Sequence, residues 1–102
     1  MTSLYLTDGR VKTVHPANGQ HWTLDELQAL VGGYIEIVGT VDGRYMVIND
    51  NGKLENLDLN IPATRLYVHG RQDVIVGTAV VVDTMYELDG PEDADVQFTP
   101  IQ

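Results

Sequence analysis

Apolar and polar residues alternate along the chain in two places, each divided by an Asp-Gly pair. The first contains "SLYLT" and "RVKTVHP" around Asp8-Gly9, and the second contains "YIEIVGTV" and "RYMVIND" around Asp42-Gly43. Asp-Gly between β-prone runs is typical of a hairpin turn, because both residues tolerate positive φ. We therefore predict two β-hairpins. We expect the second pair of strands to be central in the sheet because of its β-branched and aromatic residues.

Between the hairpins, "TLDELQALVGG" carries the start and stop signals of an α-helix. Thr23 is placed as the N-cap, and Glu26 follows three residues later as the returning carboxylate of a capping box. Paired glycines end the segment. Apolar residues recur at helical spacing and predict a buried stripe. The stripe consists of Leu24, Leu27, Leu30 and Val31.

The second half of the chain predicts a short helix and a long strand. In "IPATRLYVHG", Pro62 suits the first turn of a helix, with Asn60 or Ile61 near its cap. "DVIVGTAVVVD" is the longest β-branched run. It indicates a strand that is buried on both faces and bent at Gly77.

These elements follow the order ββαββαβ and predict an α+β domain. We expect a small mixed β-sheet, β-grasp-like, with one main helix and a short second helix. Residues 1–83 are predicted to form this single domain, and residues 84–102 an acidic C-terminal segment that is mobile or folded back as an edge strand. The apolar residues that would allow the segment to fold back are Tyr86, Leu88, Val96 and Phe98.

The chain of 102 residues has a formal net charge of −9 and no cysteine. Six of its fifteen acids lie after Val82, where no Lys or Arg remains. This balance disfavours direct binding to nucleic acid and leaves two interpretations of the acidic segment, a solvated tail or a mimic of DNA. The start has no signal-peptide pattern, and no apolar run reaches the roughly 20 residues of a membrane span. We expect a cytoplasmic protein.

The stretch "NDNGKLENLDLN", residues 49–60, has oxygen-bearing side chains on alternate residues, as a calcium loop does. Aligning Gly52 with the glycine of an EF-hand loop puts Val47 at the first ligand position, so the sequence argues against calcium. The competing interpretation is a type I′ turn at Asn51-Gly52, with Asn49 and Asp50 bonding their own backbone.

No catalytic pattern is present in the sequence. The histidines lack the spacing of a zinc site, the single serine is near the start, and no phosphate loop is recognisable. We therefore expect no enzyme activity, no metal and no cofactor. The residues considered were His15, His21, His69 and Ser3.

Two clusters of polar and aromatic residues are unusual for a simple scaffold. One lies in the loop before the first helix and the other around the short helix. Arginine beside amide and aromatic groups suits anionic or planar ligands, and a helix beginning at Pro62 would present free N–H groups to an anion. The alternative is a polar loop anchored by its tryptophan and an arginine paired with the acidic surface. The predicted ligand-binding residues are Asn60, Thr64, Arg65, Tyr67, Trp22 and His15.

Three stretches in this order resemble a small family of uncharacterised phage and mobile-element proteins, the domain-of-unknown-function family numbered 3846. They are "TLDELQALVGGYIEIV", "YMVINDNGKLENLDLNIPAT" and "DVIVGTAVVV". The resemblance implies a phage or prophage context but no activity. Asn51 stands where an acid is more usual in the family. The polar residues at matched positions, each also suited to local hydrogen bonding, are Gln28, Glu36, Asn49, Asn60 and Thr64.

The leading hypothesis is a non-enzymatic, phage-encoded binding protein of the bacterial host cytosol that counters or modulates a host process, first of all bacterial immunity. It would sequester a nucleotide immune signal or occlude a defence protein. We expect its site to lie around the short helix, at an interface of a homo-oligomer. The alternatives are an acidic decoy of a DNA-binding protein and an accessory or structural phage factor. These hypotheses rest on context and on the absence of a catalytic pattern.

Overall fold

Five strands form one sheet in the computed structural model, which describes residues 1–88 of the chain. The order of elements confirms the predicted α+β class and the sequence ββαββαβ. The strands are β1 (Thr2–Tyr5), β2 (Val11–Val14), β3 (Ile35–Gly39), β4 (Tyr45–Asn49) and β5 (Ala79–Val82), and the helices are α1 (Leu24–Val31) and α2 (Ile61–Leu66).

All neighbouring strands of the described sheet pair antiparallel, in the order β2-β1-β5-β4-β3. The sheet that we expected to be mixed and β-grasp-like is therefore antiparallel. The reason lies in the connection after β4, which returns the chain to the end of the sheet where β4 stops. Val80 consequently pairs with Val47, and Val82 with Tyr45, so β5 runs back against β4.

Strand β5 occupies the centre of the sheet, and all four of its residues are buried. This confirms the prediction of a strand buried on both faces. The chain bends at Gly77, whose φ is 79°, and the strand begins only at Ala79. The expectation of a central second hairpin holds for β4 but is wrong for β3, which lies at the edge. The reason is that the apolar run of β5 takes the central place, with β1 and β4 beside it.

The two helices lie on opposite faces of the sheet, so the domain has three layers. Successive residues of a strand point to alternate faces, and the residues of β5 divide between two buried clusters accordingly. We call these the α1 face and the α2 face. The α1 face buries Trp22, Leu27, Val31, Ile37, Val47, Val80, Val82 and Leu88, and the α2 face buries Val38, Met46, Ala63, Tyr67, Ile75, Ala79 and Val81.

Helix α1 begins with the predicted capping box. Thr23 Oγ1 accepts a hydrogen bond from the Glu26 N–H at 3.2 Å, and Glu26 Oε1 accepts one from the Thr23 N–H at 2.8 Å. The helix ends at Gly32, and Leu27 and Val31 of the predicted stripe are buried against the sheet. The local signals in the sequence therefore place this helix and its inner face correctly.

Helix α2 is fixed to the sheet through its N-cap, Asn60, which is completely buried. Asn60 Oδ1 accepts the Ala63 N–H at 3.1 Å, while Nδ2 donates to the carbonyl oxygens of Tyr5 at 3.0 Å and Gly77 at 2.8 Å. Pro62 lies in the first turn, as predicted. One side chain thus connects the helix, the end of β1 and the bend before β5.

Both predicted hairpins form, but only the glycine of each Asp-Gly pair has positive φ, 95° at Gly9 and 85° at Gly43. In the second turn, the Asp42 carboxylate accepts hydrogen bonds from the Arg44 guanidinium and the Thr40 hydroxyl. These bonds lower the pKa of Asp42 to about 2. The aspartate therefore stabilises the turn through its side chain and not through a left-handed backbone.

The packed part of the domain extends past the boundary predicted at residue 83. A 3₁₀ turn spans Met85–Glu87, and Leu88 is buried on the α1 face. The Glu87 carboxylate accepts a hydrogen bond from the Thr2 hydroxyl at 2.8 Å, and the Trp22 indole donates to that hydroxyl at 2.9 Å. Residues 84–88 therefore belong to the domain. Residues 89–102, and with them the predicted edge strand, lie outside the described residues.

We expect Asn60→Ala to destabilise the domain by about 3 kcal/mol. Loss of a helix cap costs about 1 kcal/mol, and each buried carbonyl left without its donor costs about 1–3 kcal/mol. Urea denaturation followed by circular dichroism measures the change. Asn60→Ser keeps an oxygen for the Ala63 N–H and should recover about 1 kcal/mol of the loss. A loss well below ~1 kcal/mol in the alanine variant would contradict this structural role.

Candidate functional site

The six predicted ligand-binding residues are distributed over both faces of the sheet. Trp22 is buried on the α1 face, where its indole is bonded to Thr2. His15 is exposed and directly follows β2. The remaining four residues lie in or beside α2, and these are Asn60, Thr64, Arg65 and Tyr67. The loop residues and the α2 residues therefore do not come together in one site.

Asn60 and Thr64 use their polar atoms to hold the fold together. Thr64 Oγ1 donates to the Asn60 carbonyl at 2.8 Å and accepts the Ile75 N–H at 2.8 Å. In the first turn of α2, the Ala63 N–H is bonded to Asn60 Oδ1. The anion site predicted at the start of this helix lacks that donor, and the contacts of Asn60 and Thr64 are those of structural residues.

A cleft of about 240 Å³ opens on the α2 face, and Tyr67 is the only one of the six predicted residues that lines it. Its most buried apolar and aromatic lining residues are Val38, Ile75 and Tyr67. One wall is the loop that follows β4, and the other is the segment that precedes β5. Residues 49–54, the first half of the stretch 49–60 that resembles a calcium loop in the sequence, therefore form a wall of this cleft.

The base of the loop is packed firmly into the domain. The Asn49 side chain donates to the Val31 carbonyl at 3.2 Å and accepts the Asn51 N–H at 2.8 Å, which confirms the predicted turn bonding of Asn49. The type I′ turn predicted at Asn51-Gly52 is wrong, because neither residue has positive φ. Glycine fits position 52 for another reason, since a Cβ there would lie only 2.9 Å from the Val76 side chain. The two walls of the cleft therefore touch at this glycine.

Charged groups from three parts of the chain line the cleft. Glu36 comes from β3, Asp50 and Lys53 from the loop, and Asp73 from the segment before β5. Lys53 forms an ion pair with Asp73, which lowers the pKa of the Asp73 carboxyl. Three carboxylates and one ammonium leave these groups with a net charge of −2.

Glu36 is the least favourably placed of these groups. Burial raises the pKa of its carboxyl, Asp50 raises the pKa further, and Lys53 partly opposes the change. Within residues 1–88, Glu36 takes part in no ion pair. Burial also raises the pKa of the neighbouring Tyr67 hydroxyl, as do the negative charges of Asp73 and Glu36. The cleft is therefore a partly desolvated, negatively charged environment.

The charged residues of the cleft are absent from the predicted site, although one signal for them exists in the sequence. Glu36 is the only charged residue in "YIEIVG", and it shares a strand face with Val38, which is buried against α2. A charge at such an inward position is unusual. The others lie on irregular segments whose proximity depends on the tertiary fold, and these are Asp50, Lys53 and Asp73.

In the described part of the chain, no group of three or more histidine, aspartate or glutamate side chains is placed to hold a metal ion. No helix within residues 1–88 combines the length and apolar character that crossing a bilayer requires.

The family model described as "Domain of unknown function (DUF3846)" matches residues 1–96. The chain belongs to this family. Searches of curated proteins and of solved structures found no match. This membership confirms the resemblance seen in the sequence. The structure shows where the polar residues of the resembling stretches lie. Of the polar residues in the DUF3846-like stretches, Glu36 and Asn49 line the cleft, whereas Asn60 and Thr64 brace α2.

In this DUF3846 domain, we expect Glu36→Gln to stabilise the fold at neutral pH. The raised pKa means that the folded state binds the Glu36 proton more tightly than the unfolded state does. The ionised carboxylate therefore destabilises the fold above its raised pKa, and the penalty disappears below its ordinary value of 4.5. Thermal melts of the wild type and of Glu36→Gln, from below pH 4.5 to neutral pH, measure the difference in melting temperature.

The control for this measurement is Asp25→Asn, which removes the same charge from an exposed position on α1. It should give no gain in melting temperature at neutral pH, because Asp25 lies in the first turn of the helix, where a negative charge is favourable. A Glu36→Gln protein that melts at or below the wild-type temperature at neutral pH would show that the carboxylate has a stabilising partner.

Proposed function

We propose that this DUF3846 protein is a non-enzymatic binding protein and that the cleft on its α2 face is its contact site. The observation that carries the proposal is Glu36, a half-buried carboxylate that lines the cleft and forms no ion pair with any residue in 1–88. Groups that oppose stability are typical of functional sites, where the partner supplies the missing interaction. Among residues 1–88, those that line the cleft include no histidine or serine, which supports binding over nucleophilic catalysis.

The rim of the cleft supports contact with a protein. Leu54 in the loop is 84% exposed, and Val74 in the opposite wall is 42% exposed. Both adjoin a charged pair, since Lys53 precedes Leu54 and Asp73 precedes Val74. Apolar side chains exposed beside polar groups in this way are common where two proteins meet.

The proposed setting is the cytosol of a bacterial host, where the protein counters a defence system. The support is the family resemblance, which associates the chain with phages and mobile elements. A small protein of this kind can act by occupying a surface of a host defence protein. This part of the proposal is an argument from context.

The cleft favours occlusion of a protein over sequestration of a nucleotide signal. Its charged groups sum to −2 and repel phosphates. Its volume of about 240 Å³ is also below the about 300–1,000 Å³ typical of sites that enclose a drug-sized ligand. A protruding side chain of a protein partner fits both properties better than a nucleotide does.

Plaque formation on bacterial strains that each carry one defence system tests this proposal. We expect the protein to increase phage plaque counts on at least one strain relative to an empty vector. Asp50→Lys reverses an exposed charge at the cleft and should abolish the increase. Asp25→Lys makes the same change of charge on α1, on the other face, and should leave the increase intact.

Circular dichroism melts establish that both variants fold, and light scattering tests the homo-oligomer predicted from the sequence. Equal plaque counts with the two variants would contradict a role for the cleft, and no increase on any strain would contradict the anti-defence role. Activity that survives Asp50→Lys but is lost when residues 89–102 are removed would favour the acidic decoy instead.

A further inference from the structure

The interior of the cleft is apolar where it is deepest. Val38 and Ile75 are each 2% exposed, and the Tyr67 ring beside them is 7% exposed. The ring is held edge-on against His69, with centroids 5.6 Å apart and an angle of 87° between the planes. Such a fixed aromatic surface and apolar lining suit the aliphatic part of a long side chain.

The polar part of the cleft has a surplus of acceptors. Lys53, the only ammonium that the described residues place in the lining, is already paired with Asp73. Glu36 and Asp50 form no ion pair with any residue in 1–88. These two carboxylates lie at the edge of an apolar interior. The cleft therefore suits a side chain with a cationic end group and an aliphatic stem.

Arginine fits this combination better than lysine does. Its guanidinium is more weakly hydrated than an ammonium, so it enters a half-buried site at lower desolvation cost. It is planar, can bond a carboxylate through two parallel N–H groups, and stacks on aromatic rings. Glu36 and Tyr67 offer a carboxylate and an aromatic ring in the same cleft.

We propose that the cleft binds an arginine side chain of the partner protein, with the guanidinium bonded to Glu36 and attracted by Asp50. The aliphatic stem of the arginine packs against Val38, Ile75 and the ring of Tyr67. This inference rests on the proposed binding function and names the chemistry that the partner must present. Binding one guanidinium reduces the net charge of these groups from −2 to −1 and gives the half-buried Glu36 carboxylate a cationic partner.

Nuclear magnetic resonance titration of the full ¹⁵N-labelled chain tests the inference with three probes: Nα-acetyl-arginine amide, the matching lysine amide, and the matching citrulline amide. Citrulline has nearly the shape of arginine without its charge. We expect the arginine probe to shift backbone amides of the two cleft walls, around Leu54 and Val74. The citrulline probe should bind about tenfold more weakly or worse, because the charge-assisted bond is lost.

Glu36→Gln should weaken binding of the arginine probe by about tenfold, although we expect the same substitution to stabilise the fold. Lost affinity in a more stable protein cannot be attributed to unfolding. Asp25→Asn, which removes the same charge from the surface of α1, should bind the probe as the wild type does.

Three results would overturn the inference: citrulline or lysine binding as tightly as arginine, shifts confined to residues outside the cleft, or unchanged affinity in Glu36→Gln. The plaque assay and the arginine titration together distinguish failure of this inference from failure of the proposed function. If Asp50→Lys abolishes the effect on plaques but arginine does not bind, the cleft is a contact site of other chemistry. If arginine binds in the cleft and no strain shows an effect, the site stands and the anti-defence role fails.

Discussion

The need to bury β5 on both faces determines the architecture of the domain. Its four residues, Ala79–Val82, are buried at the centre of the sheet, and only a layer of structure on each face can exclude water from them. Helix α1 covers one face with eight residues. Helix α2 has only six residues, which span about 9 Å, and it leaves part of the other face near β3 and β4 uncovered. The cleft lies in that uncovered part, so the functional candidate follows from how the core is enclosed.

Signals between close neighbours in the chain predict this fold well. The Thr23–Glu26 capping box and the Asn60 cap form as the sequence indicates, because each is decided within a few residues. Features that depend on distant segments are predicted poorly. The edge position of β3 and the antiparallel pairing of β5 are set by which strands meet. The proposed grouping of Trp22 with α2 fails for the same reason, since a loop and a helix that are both polar in sequence pack on opposite faces.

Two polar residues on the α2 face show how structural and functional roles differ. Asn60 is completely buried, yet its acceptor and both of its donated bonds are satisfied by the backbone. Glu36 is less buried, yet no cation in the described chain pairs with it, and burial raises the pKa of its carboxyl. The sequence favours Asn60 over Glu36 as a ligand contact because Asn60 lies close to Arg65 and Tyr67 in the chain. The structure reverses this preference, because the polar atoms of Asn60 are all hydrogen-bonded within the fold whereas the Glu36 carboxylate has no ion pair in residues 1–88.

The loop after β4 has a closely packed base at Gly52, which lies against Val76, and an exposed rim directly after it. The Asn49 side chain bonds the base of the loop to Val31 and Asn51, and Gly52 lies so near Val76 that a Cβ there would be only 2.9 Å from its side chain. The base of this wall is therefore closely packed. Lys53 and Leu54, which follow immediately, are exposed and carry no part of the core. Substitutions at these two positions can change what the rim contacts without loosening its base. The surface chemistry of the rim can therefore vary while the fold stays constant.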